Sequence, residues 1–453
     1  MKHLKTKWTA AAIAALACLA PWQMTQAQTA EALMEALVKK GILTEQEAED
    51  IKADLAKENR SFVKVTASGK STLALDLYGD MRGRFEGFFS DDPAIVDRMR
   101  FRYRLRAGIK ATLYDRFEAG FRLTSSEPTD ISNGGGDPIS GNSTFQNNGS
   151  KKFLFIDLAY GKWTAVTNET FLASATVGKM ENPFVLSDMV FDGDYTPEGA
   201  AVNAKFSPNL NHVLSFNLGA FALDEISGQS EDPFTFGGQL RFDSNWSYDE
   251  AHKPDLQTSV GVAWLGILFA ESLTTNAVPN VNVGNTRDPV LANAPLVNDY
   301  YPIVGDASIT YTLQKVPFYN GTFPIKLAGD VIYNPGAPDK NWGYSAGLTF
   351  GKSGNRGTWD LSYRWKYLGG DAWYEEFVDS DFGAFYGASY QQSLRTGYQA
   401  GTNVRGHIVK ASYSPYNALT LGVTWFYTSL ISNPAAPAES DIHRLQVDAV
   451  WRF

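Results

Sequence analysis

The 453-residue chain has one cysteine, five histidines and few charges for its size, with Asp, Glu, Lys and Arg together making up 20%. A single cysteine excludes an internal disulfide framework and any zinc or iron–sulfur site built on thiolates. No Gly-x-Ser-x-Gly elbow and no His-Glu-x-x-His helix is present, so two common hydrolase signatures are missing. Of the histidines, His3 falls at the extreme N-terminus, His212, His407 and His443 near predicted strand ends, and His252 in a predicted turn. No enzyme and no cofactor is expected from such a set. The net charge of −9 gives no reason to expect a nucleic-acid partner. Past residue 27 no uninterrupted apolar run reaches about 18 residues, which excludes a membrane-spanning helix.

What is abundant is glycine, with 40 residues, and aromatic side chains at 13%. That pairing disfavours a helical bundle and favours many strands and turns. Residues 1–27 read as a secretory signal. Lys2, Lys5 and Lys7 form the positive end, Ala10 to Ala20 the apolar run, and Thr25-Gln26-Ala27 the small-residue cleavage site. Cys18 lies inside it and is discarded with it. Loss of the three lysines takes the net charge from −9 to −12. Residues 28–60 are the convincing helical stretch. Leu33, Met34, Leu37 and Val38 recur at helical spacing, Gly41 stops the first helix, and Thr44 with Glu47 makes a capping box for a second. A periplasmic docking element and a mere spacer fit this segment equally.

From Ser71 to the C-terminus the period is two. Between Leu73 and Glu86 every odd position is apolar or Gly, while Asp76, Asp80, Arg82, Arg84 and Glu86 occupy even ones. Arg98, Arg100, Arg102, Arg104, Arg106 and Lys110 then alternate with Met99, Phe101, Tyr103, Leu105, Ala107 and Ile109. Arg364 and Lys366, and later Arg444 and Asp448, fall in the same rhythm. Alternation describes any half-buried strand. Here the apolar faces end in aromatics, the strands run about ten residues or more, and the gaps alternate short and long, as in a membrane barrel. The predicted strands are 72–88, 98–112, 116–125, 153–163, 170–179, 199–206, 212–223, 233–243, 256–267, 302–314, 323–333, 342–351, 357–368, 404–413, 418–429 and 441–453. Sixteen is even, as an antiparallel barrel over 71–453 with both ends on the periplasmic side requires, and a barrel of that size leaves a water-filled channel. The fold class expected is all-β, a transmembrane antiparallel barrel with a short helical prefix, in a bacterial outer membrane.

Charge on a lipid face costs several kcal/mol near the midplane, so the charged rows must face inward. In the first three strands that face carries nine cations, Arg82, Arg84, Arg98, Arg100, Arg102, Arg104, Arg106, Lys110 and Arg122, against four anions, Asp76, Asp80, Glu86 and Glu118. A register with an index sum near 186 sets Glu86 opposite Arg100, Asp80 opposite Arg106 and Asp76 opposite Lys110. It leaves Arg82, Arg84, Arg102 and Arg104 without a carboxylate directly across. The predicted loop 180–198 carries Glu181, Asp188, Asp192, Asp194 and Glu198 and is expected to fold into the lumen opposite this wall, narrowing the pore and setting a field across it. Asp188, Asp192 and Asp194 are oxygen donors that would suit calcium, although their spacing lacks a complete loop signature.

The terminal Phe453, with Trp451 and Ala449 on one face, resembles the assembly signal of outer-membrane barrels. Residues 178–202, from Gly178-Lys179-Met180-Glu181-Asn182-Pro183-Phe184 to Asp192-Gly193-Asp194-Tyr195-Thr196-Pro197-Glu198-Gly199, resemble a motif of the bacterial "putative porin" family, which is similar in plan to the phosphate-selective porins. The Arg-rich early strand, the helical prefix and the late loop Asp379-Ser380-Asp381-Phe382-Gly383 fit that resemblance, whereas Ala384 to Asn403 departs from it. The resemblance implies a passive outer-membrane channel, often trimeric, surrounded by lipid and passing small hydrophilic solutes or anions. Two other functions stay open: a substrate-specific transporter of sugar or phosphate type, with Trp373, Tyr374, Phe377, Tyr386 and Tyr390 as an aromatic platform, and a membrane-tethering structural barrel.

Overall fold

A computed structural model describes residues 62–67, 71–92, 95–127, 139–209, 211–228, 230–248, 254–274, 283–291, 293–387, 397–432 and 440–453. The signal segment and both helices of the prefix lie outside these residues, as do His252 and Tyr390. Sixteen strands form the wall: β1 Ser71–Phe89, β2 Arg98–Leu113, β3 Phe117–Ser126, β4 Phe153–Thr167, β5 Phe171–Lys179, β6 Glu198–Asn209, β7 His212–Ala222, β8 Phe234–Tyr248, β9 Pro254–Leu268, β10 Ile303–Leu313, β11 Phe323–Tyr333, β12 Trp342–Gly351, β13 Thr358–Leu368, β14 Val404–Tyr416, β15 Leu419–Leu430 and β16 Ile442–Arg452. Each pairs antiparallel with the next. β16 closes onto β1, from Asp80 opposite Arg452 to Phe89 opposite His443. Closure removes the unpaired edge that lipid would penalise. All sixteen expected strands are present, and β14 runs three residues further than expected, to Tyr416.

The tight turns cluster at one end. Between β2 and β3 the Arg116 N–H donates to the Leu113 carbonyl, with Tyr114 and Asp115 both at positive φ (52° and 57°). Those are the angles of the hairpin turn that matches the right-handed strand twist. The long connections lie at the opposite end. A short segment, Phe62–Ala67, pairs with the first residues of β1 below the point where β16 ends.

The alternation sorts the two faces as expected. Leu77, Met81, Phe101, Phe121, Val260 and Leu327 are exposed on the outer wall, and Glu86, Arg102, Gln239 and Lys366 are buried inside. His407 and His443 stack with Tyr427 in an outer aromatic row. The interior is not lined by wall residues alone. Three loop segments, 180–197, the described parts of 269–302, and 369–387, meet in one buried apolar cluster that holds Phe184, Met189, Phe191, Leu273, Tyr300, Trp373 and Phe377. It packs on the inward Phe221, Leu265, Ile267, Val304 and Ile332 of β7, β9, β10 and β11.

Candidate functional site

The charged interior is built first by the β1–β2 register. Glu86 lies opposite Arg100, Asp80 opposite Arg106, Asp76 opposite Lys110, Arg82 opposite Arg104 and Arg84 opposite Arg102. This is the register with an index sum of 186. Directly opposed like charges repel unless counter-charge arrives from elsewhere, and here it arrives from three directions.

β16 supplies Asp448, which accepts two hydrogen bonds from Arg84 at 2.8 and 2.9 Å. It also brings Arg444, whose Nη2 donates to Glu86 at 2.8 Å. Glu86 is fully buried and takes Arg100 Nε at 2.5 Å as well, with Arg84 and Arg102 at 3.5 and 3.8 Å. One carboxylate thus stands among four guanidinium groups.

The segment 180–197 supplies the second set. Gly178 and Gly199 face each other where it leaves and rejoins the wall. A Cβ on either would lie 2.3 and 2.2 Å from the carbonyl oxygens of Ala159 and Ala220, so only glycine allows this approach. Asp194 receives Arg104 at 2.6 Å and Arg106 at 3.0 Å, and both guanidinium groups also hold Asp80. Glu181 reaches Arg122 at 3.2 Å, while Asp157 of β4 takes the same arginine at 2.5 Å. Asp188 goes elsewhere. It lies against Arg364 at 2.5 Å and Lys366 at 2.9 Å on β13. Ser187 beside it hydrogen-bonds Asp330 of β11, and Val185 exchanges two hydrogen bonds with Gln239 of β8. The segment therefore touches β2, β3, β8, β11 and β13 from inside the barrel. Glu198 is already part of β6 and pairs with Lys179 at 2.9 Å, away from the Arg wall.

The third set comes from the late loop. Asp381 accepts Arg444 at 2.6 Å and Arg84 at 3.0 Å. Asp379 lies 3.2 Å from Lys366. The two inner loops are stitched to each other: the Asp379 N–H donates to the Asp188 carbonyl at 2.9 Å, the Asp192 N–H to the Phe377 carbonyl at 2.6 Å, and the Ser380 N–H to the Asp192 carboxylate at 2.8 Å.

These environments push the loop carboxyls apart. Burial lifts Asp192 to about 7, with Asp379 and Asp194 adding to it. Burial also raises Asp379, against the pull of Lys366. Enclosure acts on Asp188 and Asp381 in the same sense, but Lys366 and Arg364 hold the first below its ordinary value and Arg444 and Arg84 hold the second well below.

Asp188, Asp192 and Asp194, the three oxygen donors weighed for calcium, do not converge on one point. Their carboxylates point to β13, to backbone N–H groups of 380 and 194, and to β2, and among the described residues no metal-binding group of three or more acids, Cys or His occurs. The physical reason is that arginine and lysine already satisfy two of the three. Trp373, Tyr374, Phe377 and Tyr386 are buried, so their ring faces serve the loop cluster and the wall rather than an open platform. His212 Nδ1 meets Ser244 Oγ at 3.0 Å, but among the described residues no carboxylate hydrogen-bonds this histidine.

Of the remaining wall cations, Arg82 donates to Asn142 Oδ1 at 2.7 Å, Lys110 lies over the Tyr78 ring at 5.2 Å, and Arg98 is exposed at the loop end of β2. Arg444, Asp448, Arg364 and Lys366, which fall in the same two-residue rhythm, join the charged interior although they lie beyond the first three strands. Asp381 and Asn142 carry no such signal, because both lie in loops.

Residues 90–261 match the family model described as "Putative porin", a little over a third of the chain and including the 178–202 motif. No curated protein matches. Among solved structures of similar plan, Salmonella typhi OmpF in complex with daunomycin is 9% identical, covers 86% of this chain and 100% of its own, with a TM-score of 0.45. Pseudomonas putida OprB is 12% identical over 84% of this chain and 94% of its own, TM-score 0.45. The outer-membrane channel DcaP of Acinetobacter baumannii is 13% identical over 86% and 100%, TM-score 0.43. The family match, with a closed barrel that is apolar outside and charged inside, resembles an outer-membrane porin and locates the protein in the bacterial outer membrane.

Proposed function

We propose that this porin-type barrel is a passive channel for small hydrophilic solutes and ions, leaning toward anions, and not an enzyme. One observation carries the reading. The charged rows of a closed sixteen-stranded wall face inward, and acids on two loops reach them across the interior. The passage is lined by Arg82, Arg98, Arg100, Arg106 and Lys110, with Arg84, Arg102, Arg104 and Arg122 buried in the wall behind them, and segment 180–197 narrows it with Glu181, Asp188, Asp192 and Asp194. Most of these arginines are neutralised by carboxylates. The anion preference therefore rests on those that, among the described residues, pair with no carboxylate, Arg82 against a neutral amide and Arg98 at the mouth.

Reconstitution into planar bilayers tests this. The channel should give steady ohmic steps, and in a salt gradient its reversal potential should lie toward that of chloride. A folded barrel that never conducts would defeat the channel, and a cation preference would defeat the lean toward anions. The buried loop cluster of Phe191, Trp373 and Phe377 favours a second reading, a narrowed substrate-specific transporter. Block of the current by a sugar or by inorganic phosphate would select it. Lipid on the apolar exterior, and assembly into homotrimers, belong to the same proposal, and cross-linking in native membranes tests the trimer.

A further inference from the structure

The long connection between β3 and β4 sends a second strand-like element back onto the wall. Ser143 and Thr144 pair with Tyr103 and Arg102 on the edge of β2 that β3 is too short to cover. Just before them the chain turns at Gly141, whose φ of 65° suits glycine and whose Cβ position lies 2.5 Å from Thr124 Oγ1. Ser125 Oγ donates to the Gly141 carbonyl at 2.9 Å and secures the turn. The turn buries Asn142 completely and aims its Oδ1 at Arg82. Its Nδ2 donates to Ser140 Oγ at 2.6 Å. A guanidinium can only donate, so the amide orientation follows from chemistry.

At this level the wall has Arg82 opposite Arg104, next to Arg84 opposite Arg102. Arg84 and Arg104 each hold carboxylates, whereas Arg82 hydrogen-bonds the neutral Asn142. We propose that Asn142 is a specificity-determining position of the channel: it holds the Arg82 guanidinium in place without discharging it, and so preserves a positive charge in the passage for small anions. The inference rests on the channel reading above. Asn142 acts through Arg82 and is a positioning residue.

The test is the chloride-to-potassium permeability ratio of single channels of the full chain, with each variant shown to be folded by its heat-modifiable mobility in gels. Asn142→Asp is isosteric and places a carboxylate on Arg82. It should lower the ratio by up to roughly thirtyfold, because one unit charge ~4 Å from the passing ion in water changes anion and cation by about fivefold each in opposite senses. Arg82→Gln should lower it to a similar extent. Asn142→Ala frees the Arg82 guanidinium but keeps its charge, so the ratio should fall, and by clearly less than in Asn142→Asp. An unchanged ratio in Asn142→Asp, or a fall in Asn142→Ala as large as that in Asn142→Asp, overturns the proposal while the channel stands. Absence of conductance in the unmodified protein defeats the channel reading itself, and this inference with it.

Discussion

Lys366 joins both inner loops to the wall, and its removal has a calculable consequence. Its side chain is 1% exposed, with Nζ 2.9 Å from Asp188, 3.2 Å from Asp379 and 4.4 Å from the centre of the Phe382 ring. Lys366→Met keeps the stem and removes the charge. Asp188 retains Arg364, but Asp379 loses its cation in a largely enclosed position. Breaking a buried pair by deleting one partner costs about 3–5 kcal/mol. Asp379 is already raised above its ordinary range by burial and can take up a proton, which holds the cost to the low end. About 3 kcal/mol corresponds to roughly 150-fold more of the state in which the late loop is released. Limited proteolysis of the folded barrel reads that population when reclosing outpaces cleavage. Cleavage within 369–403 should accelerate by that order. Lys366→Met combined with Asp379→Asn leaves no orphaned charge and should return to within about tenfold of the unmodified rate. Cleavage of the single variant at the unmodified rate, or no recovery in the double variant, would refute the reasoning.

Asp194→Asn should leave segment 180–197 in place, because Glu181, Asp188 and Gln239 still anchor it. It leaves Arg104 and Arg106 sharing Asp80 alone, so the chloride-to-potassium ratio should rise severalfold, and a fall in reversal-potential measurements would contradict the charge account. Asp192 sits at about 7 in the closed loops, whereas a solvated carboxyl has its ordinary value of 3.8. The closed loops thus bind the extra proton. That stabilisation is complete below about pH 4, weakens by about 1.4 kcal/mol per unit as pH rises, and is gone above about 7. Proteolytic opening should therefore quicken by up to roughly tenfold per unit between pH 5 and 7. Asp192→Asn should flatten this dependence, and an equally steep profile in that variant would clear Asp192 of the effect.

The order in which features became legible follows the range of the interactions that set them. Strand identity and the inward and outward faces come from a two-residue rhythm, since lipid on one side and charge on the other constrain each neighbour locally; the rhythm asks only for an even β1–β2 index sum, and 186 is the value that sets Glu86, Asp80 and Asp76 opposite cations. The same rhythm already contained Arg364, Lys366, Arg444 and Asp448, and counting only the first three strands left them out. The acidic segment 180–198 was visible as a counter-charge, but not its division between two walls: Asp194 meets β2, Asp188 meets β13, and Glu198 stays in β6.

What the sequence by itself determined is the barrel: sixteen strands, their facing, and an excess of arginine on one arc. What only the tertiary structure decided is which acids discharge that arc and that Arg82, among the described residues, meets a neutral amide instead. Arg84 finds Asp381 across 297 residues of chain, while Arg82 finds Asn142 across 60. Pairings of that range depend on where loops dock once the wall has closed around them. A pattern that repeats every two residues carries no information about it.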